Sequence, residues 1–218
     1  MSVRIPGARP RGDASSAPPE QLHLPDAELI FWPRFFHENE RAQFFSRLRD
    51  ETAWKQEVVK LFGNEIPSPR LTAWYGEEGA CYRYSGVTLI ALPWTNTIGE
   101  IRRRVEAAAQ SSFNGVLLNY YRHQHDSMGW HSDDEAELGK DPVIASVSFG
   151  ATRMFQLQHK RRRDQRASLE LNDGSLLIMR GPTQHHWRHR IPRSAKAVGE
   201  RINLTFRFTS RTGRKTDE

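Results

Sequence analysis

The sequence predicts an α+β chain, mainly β, in which a helical N-terminal layer packs on a sandwich or jelly-roll barrel. Two observations predict it. Apolar residues recur at helical spacing in two stretches before residue 115, and six short strand-like runs follow Gly115. The first helical stretch opens at Phe35, with Phe36, Phe44, Phe45 and Leu48 near one face and charges between them. The second follows Pro93. There Thr97 and Glu100 read as a capping box, and Ile98, Ile101, Val105 and Ala108 share a face. Residues 55–92 between them are rich in aromatic and turn residues. The strand candidates are 116–121, 143–149, 153–159, 167–171, 175–180 and 201–209, with Asp173-Gly174 read as a tight hairpin turn.

The chain has 218 residues, enough for one domain, or one domain with a small appendage, and for a core that needs no staples. Residues 1–20 hold four Pro, two Gly and three Arg with little apolar bulk, which reads as a disordered tail. Residues 21–115 read as the helical and recognition region, 116–210 as the β core and 211–218 as a flexible tail. A net charge of +6 favours a polyanionic partner. The single cysteine, Cys81, excludes an internal disulfide and suits a reducing cytoplasm. No apolar run approaches membrane-spanning length, and the N-terminus lacks the apolar segment of an export signal.

The chemistry concentrates in the β region. His131-Ser132-Asp133 is the only His-x-Asp in the chain. Side chains two apart in extended backbone point the same way, so an imidazole and a carboxylate can chelate one metal. His185, His186 and His189 cluster downstream, and any of them can complete a two-His-one-carboxylate set. Such a set occupies one face of an octahedral metal and leaves open positions, which suits non-haem Fe(II). Zinc accepts the same ligands, though a structural zinc site usually draws on more cysteine than Cys81 alone. In Arg201 to Phe208 the even positions are apolar and the odd positions polar. On a half-solvated sheet the polar face meets water. In a barrel it lines the lumen, where Arg201 and Arg207 offer fixed forks for a dicarboxylate. Asn119 and Tyr121 add polar groups two apart on another strand.

Taken in order, Asn119-Tyr120-Tyr121, Gly129-Trp130-His131-Ser132-Asp133-Asp134-Glu135, Ser146 to Gly150, Trp187-Arg188-His189 and Arg201-x-Asn203-x-Thr205-x-Arg207 resemble the AlkB family of dioxygenases. The resemblance spans roughly residues 60–209 and is nearest to the homologues that prefer double-stranded DNA. It implies a double-stranded β-helix fold, and Fe(II) with 2-oxoglutarate and O2 as cosubstrates. By this resemblance His131, Asp133 and His189 hold the iron; His189 is favoured over its neighbours by the Trp-x-His-x-x-Pro context. Asn119, Tyr121, Arg201, Asn203 and Arg207 would bind 2-oxoglutarate. Glu135 would face the damaged base, where a carboxylate suits cationic 1-methyladenine or 3-methylcytosine. The implied reaction is oxidative demethylation of N-alkylated DNA bases, releasing formaldehyde, CO2 and succinate.

A base within a duplex must be flipped out to reach a buried site. Tyr82 and Tyr84 fall where the family has a base-stacking strand, although Tyr84 stands where phenylalanine is common. Phe62, in Leu61-Phe62-Gly63, falls at a hydrophobic finger that can fill the vacated stack; otherwise it is a core residue. The run Lys160-Arg161-Arg162-Arg163 can hold phosphates, with Arg153 adding to that surface. The expected partner is therefore alkylated DNA, double-stranded, met by a monomer with no membrane attachment. The same chemistry on RNA or protein, and a non-enzymatic nucleic-acid-binding β-barrel, are the competing readings.

Overall fold

The structure is a computed structural model describing residues 2–5, 18–61, 64–78, 81–84 and 87–210, with side chains for 18–58, 65–78 and 90–210. In chain order the described elements are β1 (Ser2–Ile5), β2 (Glu20–Leu22), β3 (Glu28–Trp32), α1 (Glu38–Glu51), β4 (Val58–Leu61), β5 (Asn64–Pro67), β6 (Leu71–Gly76), β7 (Cys81–Tyr84) and β8 (Val87–Ile90). There follow α2 (Asn96–Ala109), β9 (Gly115–Tyr121), β10 (Met128–His131), β11 (Ile144–Gly150), β12 (Arg153–His159), β13 (Arg166–Leu171), β14 (Ser175–Arg180), the single turn α3 (Thr183–His186), β15 (Trp187–Ile191) and β16 (Arg201–Arg207).

Two sheets carry the fold. One has seven strands in the order β2-β3-β14-β11-β16-β9-β6, the other five in the order β1-β13-β12-β15-β10. From β9 onward the chain crosses between sheets at every step except the β12–β13 hairpin. That alternation is jelly-roll connectivity, so the mainly-β class and the barrel stand as the sequence predicts them.

The two faces of the seven-stranded sheet serve different layers. Ile202, Leu204 and Phe206 of β16 join Val147, Phe149, Leu118 and Ile178 beneath the helices. α1 contributes Phe44 and Leu48 to that core, and α2 contributes Ile98, Ile101 and Val105. Between the sheets a second core gathers Tyr121, Met128, Phe155, Leu157, Leu169, Leu177, Trp187 and Ile191. The odd residues of β16 therefore face inward between the sheets, the lumen reading of its polar face.

Several local readings differ. α1 begins at Glu38, after Phe35 and Phe36, because His37 and Glu40 close a reciprocal capping box. α2 is capped by Thr95, whose hydroxyl accepts from the Ile98 N–H at 3.2 Å. Thr97 instead lies inside the helix and donates to Glu51 at 2.6 Å. Asp173-Gly174 is a tight turn with Gly174 at φ +71°, but it joins β13 to β14 across the two sheets and makes no hairpin. The expected tail contains β1, which pairs in parallel with β13. The boundary at 115 is not structural, since β2, β3 and β6 belong to the large sheet. β10 and β15 were not among the strand candidates. Both are short and carry inward-facing histidines, so an apolar alternation does not mark them. No helix of the described residues is long and apolar enough to cross a membrane.

Candidate active site

Adjacent antiparallel pairing of β10 and β15 sets His131 directly opposite His189. A register irregularity between Met128 and His131 turns both of those side chains inward although they are three residues apart. The imidazole centroids of His131 and His189 lie 4.2 Å apart at 68°. Asp133 sits in the loop beyond β10, not in extended strand as its spacing suggested. Its N–H donates to Gln184 Oε1 at 3.0 Å, and its Oδ1 accepts from Arg207 Nη2 at 2.6 Å. The result is a cluster in which one ligand atom from each of His131, Asp133 and His189 lies within 4.8 Å of the others.

The protonation states suit a metal. His131 Nδ1 lies 2.9 Å from the Gly129 carbonyl, which can only accept, so Nδ1 carries the proton and Nε2 is free to ligate. Burial lowers the His131 pKa, and burial with the neighbouring His131 lowers His189 to about 3. Burial alone would raise Asp133, but Arg207 and the two histidines hold it at about 2. At neutral pH the trio is thus two neutral imidazoles and a carboxylate, the states metal ligands require. Asp133 Oδ2 is buried with no hydrogen-bond partner and lies 3.7 Å from His189 Nε2. A buried carboxylate oxygen left in that condition is costly unless a cation meets it, so the residues fit a metal ion.

The trio lines one side of a cavity of about 420 Å³, counted to its open mouth. Asn119, Tyr121, Arg201, Asn203 and Arg207 line it as well. That lining suits a small polar ligand. Arg201 is 1% exposed, donates to Ser148 Oγ at 2.9 Å, and has Nε and Nη1 without hydrogen-bond partners. Burial lowers its pKa to about 10, against a rise caused by Tyr121, and it stays charged at neutral pH. A buried cation with unmet donors fits a carboxylate ligand. Asn119 Oδ1 accepts from Arg70 Nε at 2.7 Å, which turns its amide N–H groups to the cavity. Asn203 differs: its Nδ2 donates to Ser146 Oγ and the Val147 carbonyl, each at 2.8 Å, and its Oδ1 accepts from Thr205 at 3.1 Å.

The other sequence candidates are distributed as follows. Glu135 is half-buried at the start of a short 3-10 turn two residues past Asp133. Tyr82 and Tyr84 lie on β7, paired with β8, at positions whose side chains are not described. Phe62 lies outside the described residues. His185 pairs with Asp141 at 3.0 Å, away from the trio. His186 joins Asp26 and His159 in a second cluster with metal-like spacing. There, His159 Nδ1 accepts the N–H groups of Arg161 and Arg162 at 3.2 and 3.0 Å, so Nε2 carries the proton and points at Asp26. A protonated nitrogen is no ligand. With Arg162 also bonded to Asp26, this cluster anchors the basic loop.

That loop is only partly free. Lys160 braces the metal-side loops, donating to Asp134 at 2.7 Å and to the Gln184 carbonyl at 2.8 Å. Arg161 and Arg163 are exposed and make no ion pair among the described residues. Arg153 corrects the sequence reading outright: it is 3% exposed and faces no phosphate. Its guanidinium donates to the carbonyls of Asp126 (2.7 Å), Pro192 (2.8 Å) and His123 (3.4 Å), and it stacks over Tyr121 at 5.4 Å. Arg153→Ala should therefore cost on the order of 3 kcal/mol of stability by leaving buried acceptors unmet. Denaturant unfolding measures it, and DNA affinity corrected to the folded fraction should not move. Sequence reasoning also missed Arg70 and Gln184, and it quoted Ser146 and Ser148 only as part of the resemblance, without a role. Gln184 stands beside the histidine cluster, which was a usable signal; Arg70 carried none.

Residues 28–207 match the 2OG-Fe(II) oxygenase superfamily. The chain is 40% identical over 190 residues to alpha-ketoglutarate-dependent dioxygenase alkB homolog 3 of Rattus norvegicus, covering 83% of this chain and 64% of that protein. It is 38% identical over 215 residues to the DNA oxidative demethylase ALKBH2 of Homo sapiens, covering 91% of this chain and 82% of that one. The chain thus spans just under two thirds of the rat relative's length. The solved structure of OsALKBH1 superposes with a TM-score of 0.62 over 88% of this chain and 100% of that chain. At 17% identity that likeness concerns the fold.

Proposed function

The chain belongs to the AlkB family of Fe(II)- and 2-oxoglutarate-dependent dioxygenases, and from that premise we propose that it oxidatively dealkylates N-alkylated bases in DNA. The carrying observation is the single cavity that joins the His131, Asp133 and His189 cluster to the buried cations of β16. 1-Methyladenine and 3-methylcytosine are the substrates in this reading, and formaldehyde, CO2 and succinate leave. Bound Fe(II) supplies the activation of O2 with 2-oxoglutarate that oxidises an alkyl C–H bond. His131, Asp133 and His189 would hold it. Arg201 and Arg207 would take the cosubstrate's carboxylates, with Asn119 and Tyr121 beside them. The apolar walls from Met128, Phe155, Leu171 and Ile191 keep water away. Gln184 and Lys160 fix the loop that carries Asp133 and Asp134.

The proposed partner is double-stranded DNA acted on by a monomer in the cytoplasm, with Glu135, Tyr82 and Tyr84 contacting the extruded base and Phe62 filling its place. A turnover assay on the same methylated sequence as duplex DNA, single-stranded DNA and RNA tests this. Formaldehyde release from duplex DNA is the expected result, and Phe62→Ala should slow that substrate while sparing the single strand. Release from RNA alone would sink the DNA reading. The loop makes a separate expectation. Arg161→Ala with Arg163→Ala should flatten the dependence of DNA affinity on salt by about 2 logarithmic units per unit, because each exposed arginine replaces roughly one counterion. Activity on a free methylated nucleoside should persist. An unchanged slope would leave the loop merely solvated.

A further inference from the structure

We propose that the outer face of the five-stranded sheet, around Trp130, Arg188 and Arg190, is a second nucleic-acid-binding surface that tracks the phosphate backbone. Along β15, Trp187, His189 and Ile191 are buried, while Arg188 and Arg190 alternate with them and face outward. Both guanidinium groups stack on one ring: Arg188 lies 5.2 Å and Arg190 4.6 Å from the Trp130 centroid. Each is also held by a glutamine of the neighbouring strand. Arg188 donates to Gln158 Oε1 at 2.6 Å, and Arg190 donates to Gln156 Oε1 at 2.7 Å.

These partners are all neutral. Cross-strand registers place Gln158 opposite Arg188 and Gln156 opposite Arg190. Glutamate at those positions would form opposite-charge cross-strand pairs with the two arginines. The chain instead orients two cations, and among the described residues neither makes an ion pair. Arg166, opposite Gln158 on β13, is exposed and, among the described residues, donates to the Arg163 carbonyl alone. Among the described side chains on these strands, Glu170 is the one outward carboxylate, and it sits opposite Met154, one row beyond Gln156. The helices α1 and α2 pack against the other sheet, so this face is not under them. It is continuous at one end with the exposed Arg161 and Arg163. At the other end Trp130 precedes His131 in the same strand. Guanidinium groups pre-oriented on an aromatic ring lose little freedom on meeting a phosphate, and repeated cations match a repeating anion.

The surface rests on the DNA reading above, and the test separates the two. Gln156→Glu pairs Arg190 in place, and Arg188→Gln removes the other charge; neither residue belongs to the catalytic cavity's ligand set. Affinity of the full chain for an unmethylated, fluorescein-labelled duplex is measured by anisotropy between 50 and 200 mM KCl. Each variant should bind several-fold more weakly at low salt, with a salt slope shallower by about 1, and the double variant by about 2. Gln156→Glu should melt no lower than wild type, which excludes misfolding as the cause. Turnover of a free methylated nucleoside should be unchanged. If the variants bind the duplex with wild-type affinity and slope while methylated duplex is still dealkylated, this surface fails alone. If the variants lose affinity but no methylated DNA is dealkylated, the surface stands and the substrate reading fails.

Discussion

Turnover falls below detection in His131→Ala, Asp133→Ala and His189→Ala, while affinity for unmethylated DNA changes little. The expectation follows from the shared cavity: each side chain offers one of three atoms clustered within 4.8 Å, and no fourth histidine is near enough to substitute. Losses of outer partners of metal ligands already cost roughly 10–100-fold, so loss of a ligand itself should cost more. Asp133→Ala also strips Arg207 of its 2.6 Å partner inside the core. Uncompensating a buried ion pair costs about 3–5 kcal/mol, so this variant should melt lower than the histidine variants. Asp133→Asn keeps an oxygen of the same shape for Arg207 and separates the two effects. It should recover much of the stability and little of the activity. Anaerobic Fe(II) titration, read alongside melting temperature, provides the check. His186→Ala should remain active, since His186 lies on the opposite cluster with Asp26 and His159. Full activity in Asp133→Ala, or an inactive His186→Ala beside an active His189→Ala, would overturn the ligand assignment.

The second large effect is on the cosubstrate. Arg201→Gln should raise the 2-oxoglutarate concentration needed for half-maximal turnover by one to two orders of magnitude. A charge-assisted hydrogen bond in a sheltered site is worth roughly 1.5–3 kcal/mol, and about 1.4 kcal/mol is tenfold. Arg201 remains charged at pH 7 although burial brings its pKa to about 10, so the wild-type cation is present throughout the assay range. Arg207→Gln should show the same rise with a larger loss of stability, because Asp133 then loses the cation that keeps its carboxylate ionised. Arg201 is therefore the cleaner measurement. Lysine at either position should not restore affinity fully, since a point charge does not reproduce a planar fork. Unchanged 2-oxoglutarate dependence in both variants would mean that neither arginine meets the cosubstrate.

Periodicity and local chemistry were enough for much of this molecule. The alternation in Arg201 to Phe208 is so regular that one face had to be core, and the structure buries Ile202, Leu204 and Phe206 under the helices. The six apolar strands and both long helices were legible for the same reason: a buried face imposes its period on the sequence. His131-Ser132-Asp133 showed the right ligand types in its residues, but Asp133 reaches the site from a loop held by Gln184 and Arg207 and not through strand spacing. What the chain order could not carry was pairing across long separations. Choosing His189 among three histidines depends on a register between β10 and β15, short strands nearly sixty residues apart whose pairing no local pattern marks. The exit of Arg153 from the surface depends on three carbonyls supplied by two distant loops. The use of β2, β3 and β6 in the large sheet, and the crossing of Asp173-Gly174 between sheets, are equally non-local. Composition and period therefore determined the class of fold and the kind of chemistry. Tertiary structure alone decided which polar side chains meet in the cavity, because burial of a charged group is settled by the partners that surround it, and those come from elsewhere in the chain.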